Sequence, residues 1–175
     1  MKRPKQLKLL NRSDLKFFGG ALLRGRRKSQ RPLSHKHPIH LVLRSDKAKG
    51  LASFFRFRKS IERLITKQAG KFGVRIYQQA IQSNHIHFVL KIQNREHYRY
   101  FISALTGSIA LRVCRGAGLK KQDRTFWLSR PFTRIVSWGR DFQGVLNYLT
   151  QNTLEALGLV EYKPRKNYYA KFTAG

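Results

Sequence analysis

Residues 85–92 read His-Ile-His-Phe-Val-Leu-Lys-Ile, and no other stretch of the chain restricts the fold so tightly. Side chains alternate faces along a strand. Ile86, Phe88, Leu90 and Ile92 therefore share one face suited to a core, while His85, His87, Val89 and Lys91 share the other. A slip of one residue would exchange the two sets, so the register is strongly specified. Residues 74–81 predict a second strand just upstream. Gln82-Ser83-Asn84 between the two suits a tight hairpin.

The remaining periodicities fit around this hairpin. In residues 39–44, Ile39, Leu41 and Leu43 alternate with His40, Val42 and Arg44, which predicts another strand. Ser45 and Asp46 then predict a helix cap. Leu51, Phe54, Ile61, Leu64 and Ile65 carry a helical stripe to about Ala69, where Gly70 and Gly73 end it. A second helix is expected over residues 95–116, with Tyr98, Phe101, Ile102, Leu105, Ile109 and Val113 as its apolar stripe. Residues 126–138 are aromatic and β-branched but broken by Pro131. They predict an edge or interrupted strand, clearest over 133–137. A third helix over about 140–157 buries Phe142, Val145, Leu146, Leu149, Thr153 and Ala156, and Gly158 stops it. The order strand–helix–strand–strand–helix–strand plus a C-terminal helix predicts an α+β, ferredoxin-like (split βαβ, RRM-like) antiparallel sheet. Two helices cover one face, and the other is left for a ligand or the extra helix. That topology hosts many functions and names none.

Charge narrows the partner. The 175 residues hold 37 Lys and Arg against 8 Asp and Glu, a formal net charge of +29. Such a surface attracts a polyanion at long range. Residues 1–36 contribute +11 of this and the remainder +18, so a basic arm precedes a domain that is itself basic. The expected organisation is an arm over 1–37, a domain over 38–160 and a basic, tyrosine-rich tail over 161–175. Hydrophobic residues at 41% rule against a wholly disordered basic tail. Cys114 is the single cysteine, which excludes an intrachain disulfide and a cysteine zinc cluster and suits a reducing cytoplasm. No apolar run approaches the ~18 residues of a membrane helix, so no membrane partner is expected. The short apolar patch over residues 17–23 is either an anchor that packs on the domain or without a role. Residues 7–18 could form a short helix.

Two histidines at i and i+2 on one strand face can meet on a single divalent metal ion; the plainer reading is two polar residues on a wet sheet face. On the third helix Tyr148 and Asn152 are four apart and stack on one face, with Gln151 and Glu155 on the same side. A phenol facing a metal-bound phosphate is a nucleophile in waiting. The plainer alternative is a tyrosine plugging the helix–sheet seam. His40 falls on the strand face next to His85 and His87, where it could contact the polyanion, support the site or simply be solvated. His35 and His37 sit in a basic segment broken by Pro38, where solvated loop residues are the simpler reading. Lys120, Lys121, Arg124, Arg130 and Arg134 form a basic stretch ahead of the tyrosine helix. Arg134 is the favoured phosphate contact, against a solvated loop. Trp127 reads as core, whereas Phe132 and Trp138 could stack on unpaired bases. An RNA-recognition sheet would want exposed aromatics where His40, His85, His87 and Val89 stand instead.

Taken jointly, several segments resemble the HUH single-strand DNA endonucleases, in their single-tyrosine transposase branch. The likeness is greatest to the transposase-like proteins associated with repetitive extragenic palindromes. It rests on Ser83-Asn84-His85-Ile86-His87-Phe88-Val89-Leu90, on Phe126-Trp127 through Arg134-Ile135-Val136, on Tyr148-Leu149-Thr150-Gln151-Asn152, and on Leu157-Gly158-Leu159-Val160. The resemblance spans about residues 38–160. It implies His85 and His87 as ligands of Mg²⁺ or Mn²⁺, Asn152 as the third ligand, and Tyr148 as the nucleophile. The implied reaction is attack on a phosphate of single-stranded DNA to give a 5′-phosphotyrosine and a free 3′-hydroxyl, then rejoining. Hairpin or palindromic DNA is the implied partner, and the implied location is the cytoplasm, at the nucleoid. Many relatives carry Asn-Pro after the tyrosine segment, whereas Asn152 here is followed by Thr153. Arg26, Arg27 and Lys28 of the arm are expected to touch DNA phosphates. The sequence leaves open a homodimer, and whether the tyrosine acts within its own subunit. The competing expectations are a non-catalytic, basic RNA- or DNA-binding protein on the same scaffold and a purely electrostatic scaffold.

Overall fold

The computed structural model of the chain describes residues 17–20, 30–119, 126–128 and 130–162. The elements are β1 (Phe17–Phe18), β2 (Ile39–Arg44), α1 (Arg58–Lys71), β3 (Arg75–Ile81), β4 (His85–Lys91), α2 (Arg95–Gly116), β5 (Phe132–Ile135) and α3 (Arg140–Ala156). The five strands form one sheet in the order β1-β5-β2-β4-β3, every pair antiparallel. The expected α+β, ferredoxin-like architecture is the one observed.

The alternation of β4 sets both layers. Ile86, Phe88 and Leu90, with Ile39, Leu41 and Leu43 of β2, are fully buried under α1 and α2. The helices answer with Ile61 and Ile65 from α1 and Phe101, Leu105, Ile109 and Val113 from α2. On the reverse face Ala80, Val89 and Val136 pack against Val145 and Leu149 of α3, with Tyr77, Phe142, Leu146 and Tyr148 around them. So α3 occupies the sheet face that the first two helices leave, and it carries Tyr148 onto the histidine side. A register shift in β3 between Ile76 and Gln78 helps to seat it. Tyr77 joins the α3 cluster, and the Gln78 side chain bonds the Thr150 hydroxyl. An extra strand residue re-aims side chains in this way. The helix ends one turn past Asn152 because Gly158, at φ +71°, takes the left-handed conformation. There Leu159 N–H reaches the Leu154 carbonyl, closing the last turn.

Two expectations change. The first helix does not start at Ser45-Asp46. Ser45 is buried, donates its hydroxyl to the Phe126 carbonyl and accepts the Lys47 N–H two residues on, a local turn that no helix follows directly. Gly50, at φ +53°, begins a separate 3₁₀ turn, Gly50–Ala52, and the α-helix forms only from Arg58. The last sheet strand is Phe132–Ile135, not 133–137. Val136 N–H instead bonds the Pro38 carbonyl, and Ser137 N–H turns to the Asp141 carboxylate.

The apolar patch that begins at Phe17 does pack on the domain at its described end. Phe17 pairs with Arg134 and Phe18 with Thr133, and Phe18 is buried beneath the Arg31 guanidinium, 4.5 Å from its ring centre. Gly19 lets this strand approach. It has φ +87°, and a Cβ there would lie 2.1 Å from the Pro131 carbonyl oxygen. Gly19→Ala should therefore destabilise the protein by more than about 1 kcal/mol, read as a lower urea midpoint. The rest of the proposed 7–18 helix lies outside the described residues. Among the described residues no helix is long and apolar enough to cross a membrane.

Candidate active site

The histidine face of β4 is covered by α3 at Val89 and is most elaborate toward the β3–β4 turn. His87 is buried and His85 is half-buried, with their rings 4.8 Å apart, centre to centre, and nearly perpendicular. Tyr148 comes from α3. Its ring lies 5.5 Å from that of His87 and 6.2 Å from that of His40. One chain thus brings the tyrosine to the histidine pair. Tyr148 shares the sheet-facing side of α3 with Val145, Leu149 and Asn152, at i, i+3, i+4 and i+7 spacing from Val145.

Asn152 is buried as well. Its Nδ2 donates to the Tyr148 carbonyl oxygen at 2.8 Å, so the atom it can offer a cation is Oδ1. Its own backbone carbonyl accepts from the Gln82 side chain. Gln82 N–H in turn donates to the His85 carbonyl across the turn. The hairpin residues thereby fix the end of α3 against the end of β4.

Each histidine has one ring nitrogen taken. His85 Nδ1 lies 2.8 Å from Asn84 Oδ1. His87 Nδ1 lies 3.2 Å from His40 Nε2. A partner on Nδ1 sets the orientation of each ring, the kind of support found behind metal-binding histidines. Imidazole nitrogens and a carboxamide oxygen are donor types that a divalent cation accepts. No three His, Cys, Asp or Glu side chains gather as a metal cluster among the described residues.

His40 departs from its expected open position. It is almost fully buried, stacked on His87 with ring centres 5.4 Å apart, and edged by Phe132 and Tyr148. A residue so enclosed offers DNA no surface; its place is behind His87, as a support. Burial and the nearby Arg134 charge lower its pKa to about 3, against a raising effect of Asp141. Burial, then Arg44, lowers that of His85 to about 4. Both stay neutral at pH 7, the state a ligand or a second-sphere partner requires.

The unfolded chain takes up protons on these histidines below about pH 6.5, whereas the folded chain refuses them until near their lowered values. Stability is therefore full above pH 6.5 and falls as the pH drops toward those values. At about pH 5 the loss from His40 alone should be about 2 kcal/mol. Urea midpoints at neutral and mildly acid pH check this, and a His40→Leu variant should flatten the dependence.

Arg134, expected at a phosphate, is 8% exposed and held by Asp141 in a 2.8 Å ion pair. Asp141 sits in the first turn of α3, where the helix dipole favours a carboxylate. Its other oxygen accepts from Ser137 N–H. Arg134 therefore anchors α3 to the sheet rather than facing solvent. It lies opposite His40 on β2. Arg130 is exposed just before β5. Lys120, Lys121, Arg124, Arg26, Arg27 and Lys28 lie outside the described residues. Arg44, which the sequence reading did not single out, stands directly opposite His85 on β2 with an exposed side chain. Its partner Asp46 is 3.7 Å away on the surface. The alternation of β2 placed it on the histidine face, but only the pairing with His85 shows its relevance.

Trp127 is core as expected, against Phe54 and Phe126, with its indole N–H on the Thr106 carbonyl. Trp138 is exposed on one side, packs on Tyr77 and Phe142, and donates to the Lys36 carbonyl. Phe132 is half-buried between Phe17 and His40.

The family model described as IS200-like transposase matches residues 34–152. The chain belongs to the IS200-like transposase family. The matched stretch begins before β2 and ends at Asn152, so it contains every residue of the site just described. Among solved structures, a REP-associated tyrosine transposase bound to a REP hairpin superposes with a TM-score of 0.56 at 12% identity, covering 77% of this chain and 76% of that one. A protein from Deinococcus radiodurans assigned as a transposase gives a TM-score of 0.45 at 16% identity, covering 72% and 98%. The first likeness is one of fold. No protein of curated function matches the sequence significantly.

Proposed function

We propose that this IS200-like transposase nicks and rejoins single-stranded DNA through a covalent 5′-phosphotyrosine on Tyr148. The observation that carries the reading is the approach of Tyr148 to His87 on one sheet face, within one chain. Its Oη would attack the scissile phosphorus as the phenol proton is lost. The new Oη–P bond replaces the P–O3′ bond, and the departing 3′ oxygen takes up a proton. A 3′-hydroxyl attacking the phosphotyrosine reverses these events, so joining needs no outside energy source.

His85, His87 and Asn152 would hold a divalent cation through Nε2, Nε2 and Oδ1. Bound there, Mg²⁺ or Mn²⁺ would polarise the phosphate and offset the charge that develops on it. Asn84 and His40 keep the two imidazoles oriented. Arg44, beside His85, is suited to a neighbouring phosphate. Lys120, Lys121, Arg124 and Arg130 before α3 and the arm's Arg26, Arg27 and Lys28 supply further phosphate binding, which should weaken steeply with salt. Hairpin DNA is the proposed target, a view supported by a relative of the same fold having been solved with a hairpin.

The test is incubation with single-stranded hairpin oligonucleotides labelled at either end, with Mn²⁺, followed by a denaturing gel. The proposed polarity leaves the segment 3′ of the cut on the protein and releases the 5′ segment with a free hydroxyl. If a broad hairpin library is bound equally with and without metal and none is cut, the protein is a non-catalytic nucleic-acid binder instead.

A further inference from the structure

A second group of aromatic and cationic side chains stands on the tyrosine face, at the other end of the sheet from His85. Lys91 shares that face of β4 with His85 and His87, and lies roughly 20 Å from His85 by the rise of a strand. Trp138 comes just before α3, and Phe142 lies in the first turn of that helix. The register shift in β3 brings Tyr77 to meet them. The Trp138 ring centre is 5.9 Å from that of Tyr77, with the planes nearly perpendicular, and 4.9 Å from that of Phe142. The indole N–H donates to the Lys36 carbonyl at 3.0 Å. On one side of Trp138, Ser137 N–H is held by the Asp141 carboxylate. On the other, Gly139 makes the turn into α3 at φ +86°, a conformation that favours glycine. The orientation of the indole is therefore set before any ligand arrives.

Yet Trp138 is 45% exposed. An indole that served packing alone would gain by turning further inward. Cations accompany it instead. The Lys91 ammonium is 6.0 Å from the Trp138 ring centre, and the Arg75 guanidinium is 5.0 Å from that of Tyr77. Lys36, whose carbonyl holds the indole, and Arg140, two residues beyond it, are exposed as well. Asp141 is committed to Arg134. A fixed, part-exposed ring flanked by cations suits an unpaired nucleotide, with a flat surface for the base and positive charge for the phosphate. The contact of Lys91 with the indole is at the outer limit of cation–π attraction and weaker than the stacking of a base. A base can therefore take the ring and leave the ammonium to its phosphate. Bases inside a duplex already have both faces covered by their neighbours, so the ring selects a single strand.

We infer that Trp138, backed by Tyr77 and Phe142, is a stacking platform for an unpaired base of the single strand. Lys91 and Arg75 hold the backbone there, a few nucleotides from the phosphate at Tyr148. The inference rests on the single-stranded substrate proposed above, but not on the chemistry at Tyr148.

Quenching of tryptophan fluorescence reads the platform directly, because Trp127, the other tryptophan, packs against the core. The full chain is titrated without metal, so that nothing is cut, with unstructured oligothymidine and with an abasic strand of equal length. Three variants are compared. Trp138→Leu keeps an apolar filling against Tyr77 and Phe142, Trp138→Phe keeps a ring, and the double variant Lys91→Gln, Arg75→Gln removes the cations. Anisotropy of labelled DNA gives affinities across a salt series, and urea midpoints confirm folding. Oligothymidine should quench the wild type, and the abasic strand should bind without quenching. Trp138→Leu should bind oligothymidine roughly 10-fold more weakly at every salt concentration and the abasic strand as the wild type does, with Trp138→Phe in between. The double variant should weaken binding of both strands and make the log–log salt slope shallower by about 1.4. Equal oligothymidine affinity in Trp138→Leu and wild type, or an equal loss for the abasic strand, would overturn the assignment. So would a wild-type dimer that Trp138→Leu disperses with oligothymidine affinity intact, since a second copy would then be what covers the ring. Adduct formation on hairpins without base-dependent quenching would sink the platform and leave the tyrosine mechanism standing. Base-dependent quenching in a chain that forms no adduct would do the reverse.

Discussion

Tyr148→Phe should leave a folded protein that binds hairpin DNA and divalent metal as the wild type does, yet forms no covalent DNA adduct. The substitution removes one oxygen atom from a half-buried ring. The ring's packing against His87 and His40 is retained, so a loss of activity cannot be ascribed to a collapsed site. Removing the nucleophile from an enzyme that depends on it lowers the rate on the order of 10⁶-fold. In a single-turnover assay that is equivalent to no product. Titration of Mn²⁺ by the broadening of histidine ring signals should be unaltered, because the phenol is not among the proposed ligands. If Tyr148→Phe still cleaves, water or another side chain is the attacking group.

The second large effect is on stability. Phe88 is fully buried on β4, between His87 and Val89 on the strand. Its side chain points to the α1–α2 layer, away from the site. Phe88→Ala removes a full aromatic side chain from a packed interior and should destabilise the protein by about 3–5 kcal/mol. In a domain of this size that lowers the thermal midpoint by roughly 6–20 °C. Well below that midpoint the variant should still bind Mn²⁺ and form the adduct, since the pleat keeps the two faces separate. A variant that melts normally but has lost metal binding would mean that β4 can slip in register.

The contrast between these substitutions explains what the sequence discloses. Strong alternation in residues 85–92 and 39–44 identifies both strands, because a wholly apolar set on one face and a set with polar members on the other leaves one register allowed. The long stripe of α2 predicts its bounds, Arg95–Gly116, since Asn94 caps it through the His97 N–H. The start of α1 is misread because the cap signal at Ser45 is overridden by a tertiary contact. Phe126 is distant in sequence, and nothing local to Ser45 announces it. The two-residue strand β1 is hidden for a similar reason. It is too short for a pattern and exists through its pairing with β5.

The site divides likewise. His85, His87, Tyr148 and Asn152 are visible as spaced pairs on a strand and a helix, and the resemblance assigns them roles. Their supports are not visible. His40 looks like a residue of an open face, and becomes a partner of His87 only once β2 and β4 are paired and Phe132 and Tyr148 close over it. Asn84 reads as a turn residue, yet its side chain also holds His85. Arg134 reads as a free cation, but Asp141, seven residues on, accepts its charge when α3 folds back onto the sheet. His40 waits on a partner distant in the chain, whereas Asn84 and Arg134 answer to side chains near them in sequence, and no periodicity encodes any of the three.

The covalent link itself is the most direct measurement. Wild-type protein trapped with hairpin DNA and Mn²⁺ should be digested with nuclease and trypsin and the modified peptide fragmented in a mass spectrometer. The peptide after Arg140 runs to Arg165, because trypsin does not cut between Lys163 and Pro164, and it contains both Tyr148 and Tyr162, so fragmentation has to place the nucleotide. The account predicts a nucleotide joined through its 5′ phosphate to Tyr148. A 3′-phosphate linkage, or a nucleotide on Tyr162 or any other residue, would contradict it.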